Sequence, residues 1–314
     1  MTIIEEIENH GTATFSWSSY KDIIHCPMKA VYRLALGRQL NETSNWDLEF
    51  GKLLHKLIEL RARKNYKEKN ASDYIKKFFK NEANRLTAEN DEYGRNQVRV
   101  EDIFAQYCEP YPRQQEPISL GAEQEVVMPL GEIGLPGQNG LLDIKIQWKG
   151  ILDDVWQHRN KYIIKDTKTS KQSMSAARRE GYAISGQMMM YCWLVYESLG
   201  SDGLACNDAV IDFITIKKPL TRKSKNSNDS REEFERSHYH FSDEQIDNFK
   251  NGVLLTLQHW LKMLYANPLE HMPKVADSYS CKLPYPCPYF DACCAPSWED
   301  TYREVTTNPK FSAR

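Results

Sequence analysis

Three stretches of strand character follow one another between residues 121 and 169, with a long apolar helical pattern and a further strand directly behind them. The stretches are GAEQEVVMPL (121–130), GLLDIKIQWKGILDDVW (140–156) and KYIIKDTKT (161–169), and Gly, Pro and Asn between them supply the turns. The helix is expected over roughly 173–199, and AVIDFITIK (209–217) is the last strand. Amphipathic patterns over 46–65 and 71–90 precede the block. Helix, three strands, helix, strand is the order of a mixed α/β core flanked by helices.

The flanks are more irregular. TFSWSSYKDIIHCPMKAVYRLALG (14–37) predicts a capped helix, a break at Cys26-Pro27 and a second short helix. Residues 218–238 hold almost no apolar side chains and are expected as a mobile loop. A long helix over 242–266 leads into a tail rich in Pro and Cys. The chain is therefore expected as a single domain over 1–314. It divides into an N-terminal helical segment (14–45), a core (46–217), the loop (218–238) and a C-terminal helix with a cysteine-rich staple (239–314).

Composition excludes some classes. The net charge is −2, so any affinity for nucleic acid must come from local basic patches. No apolar run approaches the roughly 20 residues a membrane span needs. The N-terminus MTIIEEIENHG is acidic and polar, unlike a secretory signal. A cytoplasmic protein without membrane partners is the expectation.

The third strand ends unusually. Side chains alternate along a strand, so Asp166 and Lys168 share one face. Asp153 stands thirteen residues earlier, across a short hairpin (QHRNK), and an antiparallel neighbour would bring it to the same point. Two carboxylates and a lysine suit Mg²⁺ or Mn²⁺, because hard cations take oxygen ligands. The plain alternative is a surface hairpin with an ion pair worth ~0–1 kcal/mol. Asp143 competes with Asp153, but its 23-residue distance from Asp166 is long for one hairpin. Asp154 would face the other way. Glu123 or Glu125 could add an outer carboxylate. GKLLHKLIEL sets Gly51, His55 and Glu59 along one helix face, and Gln187 and Tyr191 are four apart on a later helix.

Eight cysteines also call for a reading. Cys108, Cys192 and Cys206 are scattered and are expected as buried apolar side chains. Cys26 precedes Pro27, while Cys281, Cys287, Cys293 and Cys294 crowd the C-terminal end. Four thiolates can hold zinc or a [4Fe–4S] cluster, and spacing alone does not choose.

The ordered set GxxxHxxxE, GxxD, DxK and QxxxY, spanning residues 51–191, resembles the PD-(D/E)xK nuclease superfamily. More narrowly it resembles the RecB-type exonuclease branch, with nuclease domains of recombination helicases and CRISPR-adaptation nucleases. The resemblance implies a restriction-endonuclease-like α/β core. It implies that His55, Asp153 and Asp166 bind Mg²⁺ or Mn²⁺, that Lys168 is catalytic, and that Gln187 and Tyr191 organise the site. It also favours a [4Fe–4S] cluster on Cys26, Cys281, Cys287 and Cys293, joining the two ends of the nuclease domain. The six-residue step from Cys281 to Cys287 departs from that pattern, and Cys294 could replace Cys293.

DNA is the implied partner, bound as single strands or ends. Residues 160–179 carry Lys161, Lys165, Lys168, Lys171, Arg178 and Arg179 against Asp166, a local +5, of which Lys171, Arg178 and Arg179 are the expected phosphate contacts. Lys52, Lys56, Arg61, Arg63 and Lys64 decorate the His55 helix, as DNA contacts or as a solvated face. With no Walker A motif, any helicase or recombination motor must be a separate chain. The expected activity is exonucleolytic, in recombination, repair, phage DNA metabolism or CRISPR adaptation, in a bacterial, archaeal or phage-infected cell. The rivals are an iron–sulfur DNA-binding subunit without nuclease activity and a zinc-stapled interaction protein.

Overall fold

The computed structural model describes residues 1–37, 46–137, 140–200, 203–218 and 232–266, together with Cys281, Cys287 and Tyr289. In chain order the elements are α1 (Ile3–His10), β1 (Thr12–Ser16), α2 (Trp17–His25), α3 (Pro27–Ala30) running into a π-helical turn (Val31–Ala35), α4 (Trp46–Ala62), α5 (Glu68–Lys80), α6 (Glu82–Glu89) and α7 (Gln97–Cys108). Then come β2 (Ile118–Gly137), β3 (Gly140–His158), β4 (Lys161–Ser170), α8 (Ala176–Tyr182), α9 (Gly186–Leu199), β5 (Ala205–Thr215), β6 (Glu233–His240) and α10 (Asp243–Ala266). The fold is mixed α/β, with sheet and flanking helices.

The chain divides into two compact units. The first comprises Met1–Thr43, Val127–Gly150 and Asp247–Arg314. In it β1 runs parallel to the first half of β3, from Thr12 opposite Lys145 to Ser16 opposite Lys149. A capping box of Thr2 and Glu5 starts α1, and Gly11 at φ +63° ends it, a left-handed backbone that glycine adopts without strain. Ser16 caps α2, and Pro27 opens α3 where its missing N–H costs nothing. Phe15 meets buried Trp260 of α10 edge-on, with ring centroids 6.0 Å apart.

The second unit comprises Ser44–Val126 and Ile151–Ile246. The end of β3 pairs antiparallel with β4, β4 runs parallel to β5 with α8 and α9 in the crossover, and β6 closes antiparallel on β5. Phe50, Leu53, Leu54 and Leu57 of α4 pack with Ile75, Phe79, Val100, Ile103 and Ile214 into an apolar cluster.

Some boundaries differ from expectation. The single helix predicted over 173–199 is two, because Ser185 caps a new start after an exposed turn. The pattern over 71–90 breaks at Asn81, whose side chain caps α6. The segment predicted as loop to residue 238 is strand from Glu233. Edge strand β6 alternates Phe234, Arg236 and His238 with polar partners, so it lacks the apolar signal of a central strand. Residues 219–231 lie outside the described residues.

Candidate active site

The β3–β4 backbone ladder ends at Asp154 opposite Lys165. One step further the strands part, and the Asp153 carboxylate takes over: Oδ2 accepts the Thr167 N–H at 2.8 Å. The same oxygen lies 3.2 Å from Nδ1 of His55 on α4. Lys168 points back along the face it shares with Asp166 and places Nζ 3.0 Å from Oδ1 and 2.8 Å from Oδ2. Only the first contact has hydrogen-bond geometry, so Asp166 Oδ2 is buried without a hydrogen bond. On α9, Gln187 Nε2 donates to Tyr191 Oη at 3.0 Å.

His55 reaches this point because α4 lies close to β4. A methyl group on Gly51 would stand 2.9 Å from Thr169 Oγ1, so glycine permits the approach.

The charges interact strongly. Burial pushes the Asp166 carboxyl up to about 6, and Asp153 adds to this against the ammonium of Lys168. Burial would raise Asp153 too, but the hydrogen bonds from His55 and Thr167 and the charge of Lys168 hold it below the usual range. Burial opposes the His55 imidazolium, yet the two aspartates outweigh it and the pKa is raised. Lys168 is likewise raised despite burial, chiefly by Asp166. Burial pushes Tyr191 up to about 12, so its phenol stays protonated at neutral pH.

Beside the site is a recess lined by His55, Glu59, Glu123, Asp153 and Thr167. Glu59, the last position of the helical motif, is 3% exposed and ion-paired with Lys56 and Arg63. Glu123 adopts φ +55°, uncommon outside glycine, and burial with the charges of Asp153 and Glu59 raises its pKa. In the first unit the Asp143 carboxylate lies against Gly134.

A family model described as the PD-(D/E)XK nuclease superfamily matches residues 14–294. The chain belongs to that superfamily. Its sheet with flanking helices is the restriction-endonuclease-like fold. Two solved structures of low identity are similar. A candidate exonuclease from Eubacterium rectale is 16% identical over 78% of this chain and 79% of its own, with a TM-score of 0.44. A phage-related exonuclease from Haemophilus somnus 129PT is 16% identical over 68% of this chain and 94% of its own, with a TM-score of 0.29. No curated protein matches the sequence.

Not every cation of the 160–179 segment reaches solvent. Lys165 is 2% exposed on the face opposite Lys168, 3.5 Å from Asp212 and 3.1 Å from Tyr107 Oη. Period-two alternation puts it there, so it cannot track phosphates from the Lys168 side. Lys161 is paired with Asp208, Lys171 with Asp47 at 2.7 Å, and Arg179 with Glu235 at 2.8 Å. Arg178 bonds the Ser170 hydroxyl at 3.3 Å. Arg61 is no surface cation either. It is buried against Glu116, and its neighbours Lys52 and Lys56 pair with Glu49 and Glu59.

Asp154, on the Lys165 face, accepts hydrogen bonds from Ser119 at 2.6 Å and Trp156 at 2.8 Å, and burial raises its pKa to about 6. Near it Asp212 takes a two-pronged contact from Arg236, at 2.6 and 2.8 Å, and a bond from Tyr107 at 2.7 Å.

In the first unit the Cys287 N–H donates to the Cys281 carbonyl at 2.8 Å, and Tyr289 stacks on Tyr32 at 5.1 Å. Burial pushes the Cys287 thiol up, and Cys26 and Cys281 are near enough to add to the shift. Cys293 and Cys294 lie outside the described residues. Among the described residues no three His, Cys, Asp or Glu side chains stand as a ready metal cage. Nor is any described helix long and apolar enough to cross a membrane.

Proposed function

We propose that the chain is a metal-dependent DNA exonuclease whose centre is His55, Asp153, Asp166 and Lys168. The observation that carries this reading is the parting of β3 from β4, which gathers an imidazole, two carboxylates and an ammonium at one point. One imidazole nitrogen and carboxylate oxygens suit Mg²⁺ or Mn²⁺, and the buried Asp166 Oδ2, without a hydrogen bond, leaves an oxygen for such an ion. His55, Asp153 and Asp166 would hold it, and the bound ion would polarise the phosphodiester and acidify a water.

The remaining work falls to the protein. Lys168 keeps its proton and offsets the charge that builds on the phosphoryl oxygens. Gln187 occupies a lone pair of Tyr191, which turns the phenolic proton outward as a donor. Hydrolysis adds a water oxygen to phosphorus, breaks one P–O bond and leaves that oxygen protonated. Strand ends as substrate, a separate helicase or recombination partner, and a cytoplasmic setting in recombination, repair, phage DNA metabolism or CRISPR adaptation belong to the same reading.

The [4Fe–4S] cluster is part of the proposal. The backbone bond from Cys287 to Cys281, which keeps those two cysteines together, supports it, with Cys26 and Cys293 or Cys294 as the remaining ligands. Iron and sulfide analysis of anaerobically purified protein tests it, and stoichiometric zinc instead would overturn it.

The activity is tested with end-labelled single- and double-stranded DNA, with Mn²⁺ or EDTA, on the wild type and Lys168→Ala. Metal-dependent loss of label by the wild type alone supports the assignment. DNA binding without cleavage would favour a binding subunit instead.

A further inference from the structure

The β4–β5 register sets Phe213 opposite Lys168, and paired residues of parallel strands face the same side. The Phe213 ring is capped edge-on by Tyr182, with centroids 5.2 Å apart at 61°, and Tyr239 flanks Tyr182 at 6.1 Å. Tyr182 therefore stands beside the Asp166–Lys168 pair, fixed by two other rings and partly open to solvent. Two residues on, Ile184 is 74% exposed in the short turn between α8 and α9, and Gln187 of the site follows three residues later. One helical turn before Tyr182 is Arg178, which makes no ion pair with any described residue.

A single exposed isoleucine needs no explanation. Here it follows a held aromatic ring by two residues and precedes Gln187 of the proposed site by three. A cation for the backbone with an aromatic face for the base is how single strands are gripped, because every base has a π-face. In a duplex those faces are stacked and covered.

We propose that Tyr182 and Ile184 form an apolar platform for an unpaired base beside the scissile phosphate, with Arg178 on the neighbouring phosphate. The site then selects single-stranded or frayed DNA ends over blunt duplex. This rests on the nuclease reading above.

The test compares wild type, Tyr182→Ala, Tyr182→Phe and Ile184→Asp on three substrates: a single-stranded oligonucleotide, a blunt duplex and bis(p-nitrophenyl) phosphate. The Ala and Asp variants should lose about tenfold or more in kcat/KM on the single strand, in line with one lost stacking contact. They should leave the small diester unchanged, and Tyr182→Phe should behave as wild type. Equal losses on all three substrates would make the segment structural, and no loss on the single strand would remove it from the substrate path. A binding arm separates this from the nuclease reading. In a Lys168→Ala background, quenching of a terminal 2-aminopurine oligonucleotide should weaken with Tyr182→Ala, whether or not the wild type cleaves. Unchanged quenching overturns the platform.

Discussion

Gly51 and Thr169 touch across the α4–β4 interface so closely that a β-carbon on Gly51 would lie 2.9 Å from the threonine hydroxyl. This contact decides how near His55, one helical turn on, comes to Asp153.

Gly51→Ala should push α4 outward and lower activity roughly 10- to 100-fold, since about 1 Å of misplacement can cost that much. Overpacking should cost about 1–3 kcal/mol in stability. Adding Thr169→Ala should restore both, as read by denaturant melts and steady-state cleavage.

Lys168→Ala should lower kcat by about 10² to 10³, the usual effect of losing one transition-state charge donor. It also leaves Asp166 without its partner, so circular dichroism must show an unchanged fold. Rescue of cleavage by added alkylamines would identify the ammonium as the missing group.

Asp212→Asn should destabilise the second unit by about 3–5 kcal/mol, because it strips a buried partner from Arg236 and Lys165. Burial alone would raise the Asp212 pKa, but Arg236 and Lys165 hold it below the usual carboxylate range. The folded state therefore binds this proton less readily than the unfolded chain. The stabilisation is present above about pH 4 and is lost as pH falls below it. Melting temperatures between pH 3 and pH 7 should drop less steeply with acidification in the variant than in the wild type.

Tyr191→Phe should keep the fold and lower kcat with little change in KM, if the phenol donates only as charge develops. Gln187→Ala should produce part of that loss, because the hydroxyl then loses its orientation. A variant that raises KM alone would place Tyr191 in ground-state binding.

The acidic pair was legible because its signals are local. Period two puts Asp166 and Lys168 on one face, and a short hairpin returns Asp153 to them. The same rule, applied to Lys165, puts it on the buried face, although its charge invites counting with the DNA contacts. Charge alone could not separate paired from open cations. Lys171 meets Asp47 and Arg179 meets Glu235 only through folding. Tyr182 could not be found from sequence, since its place depends on Phe213 lying opposite Lys168 in the register. Strand β6 escaped notice because an edge strand with polar alternation resembles a solvated loop.

The indole of Trp260 donates to the carbonyl of Pro27, 233 positions away, at 3.4 Å. On a ribosome adding about 5–20 residues per second, Pro27 waits on the order of 10 to 50 seconds for that partner to be made. The earliest helices thus emerge with their apolar faces uncovered, while the intervening segments of the second unit are still being translated. Nascent chains stalled before Trp260 should be the species that chaperones and proteases meet most often.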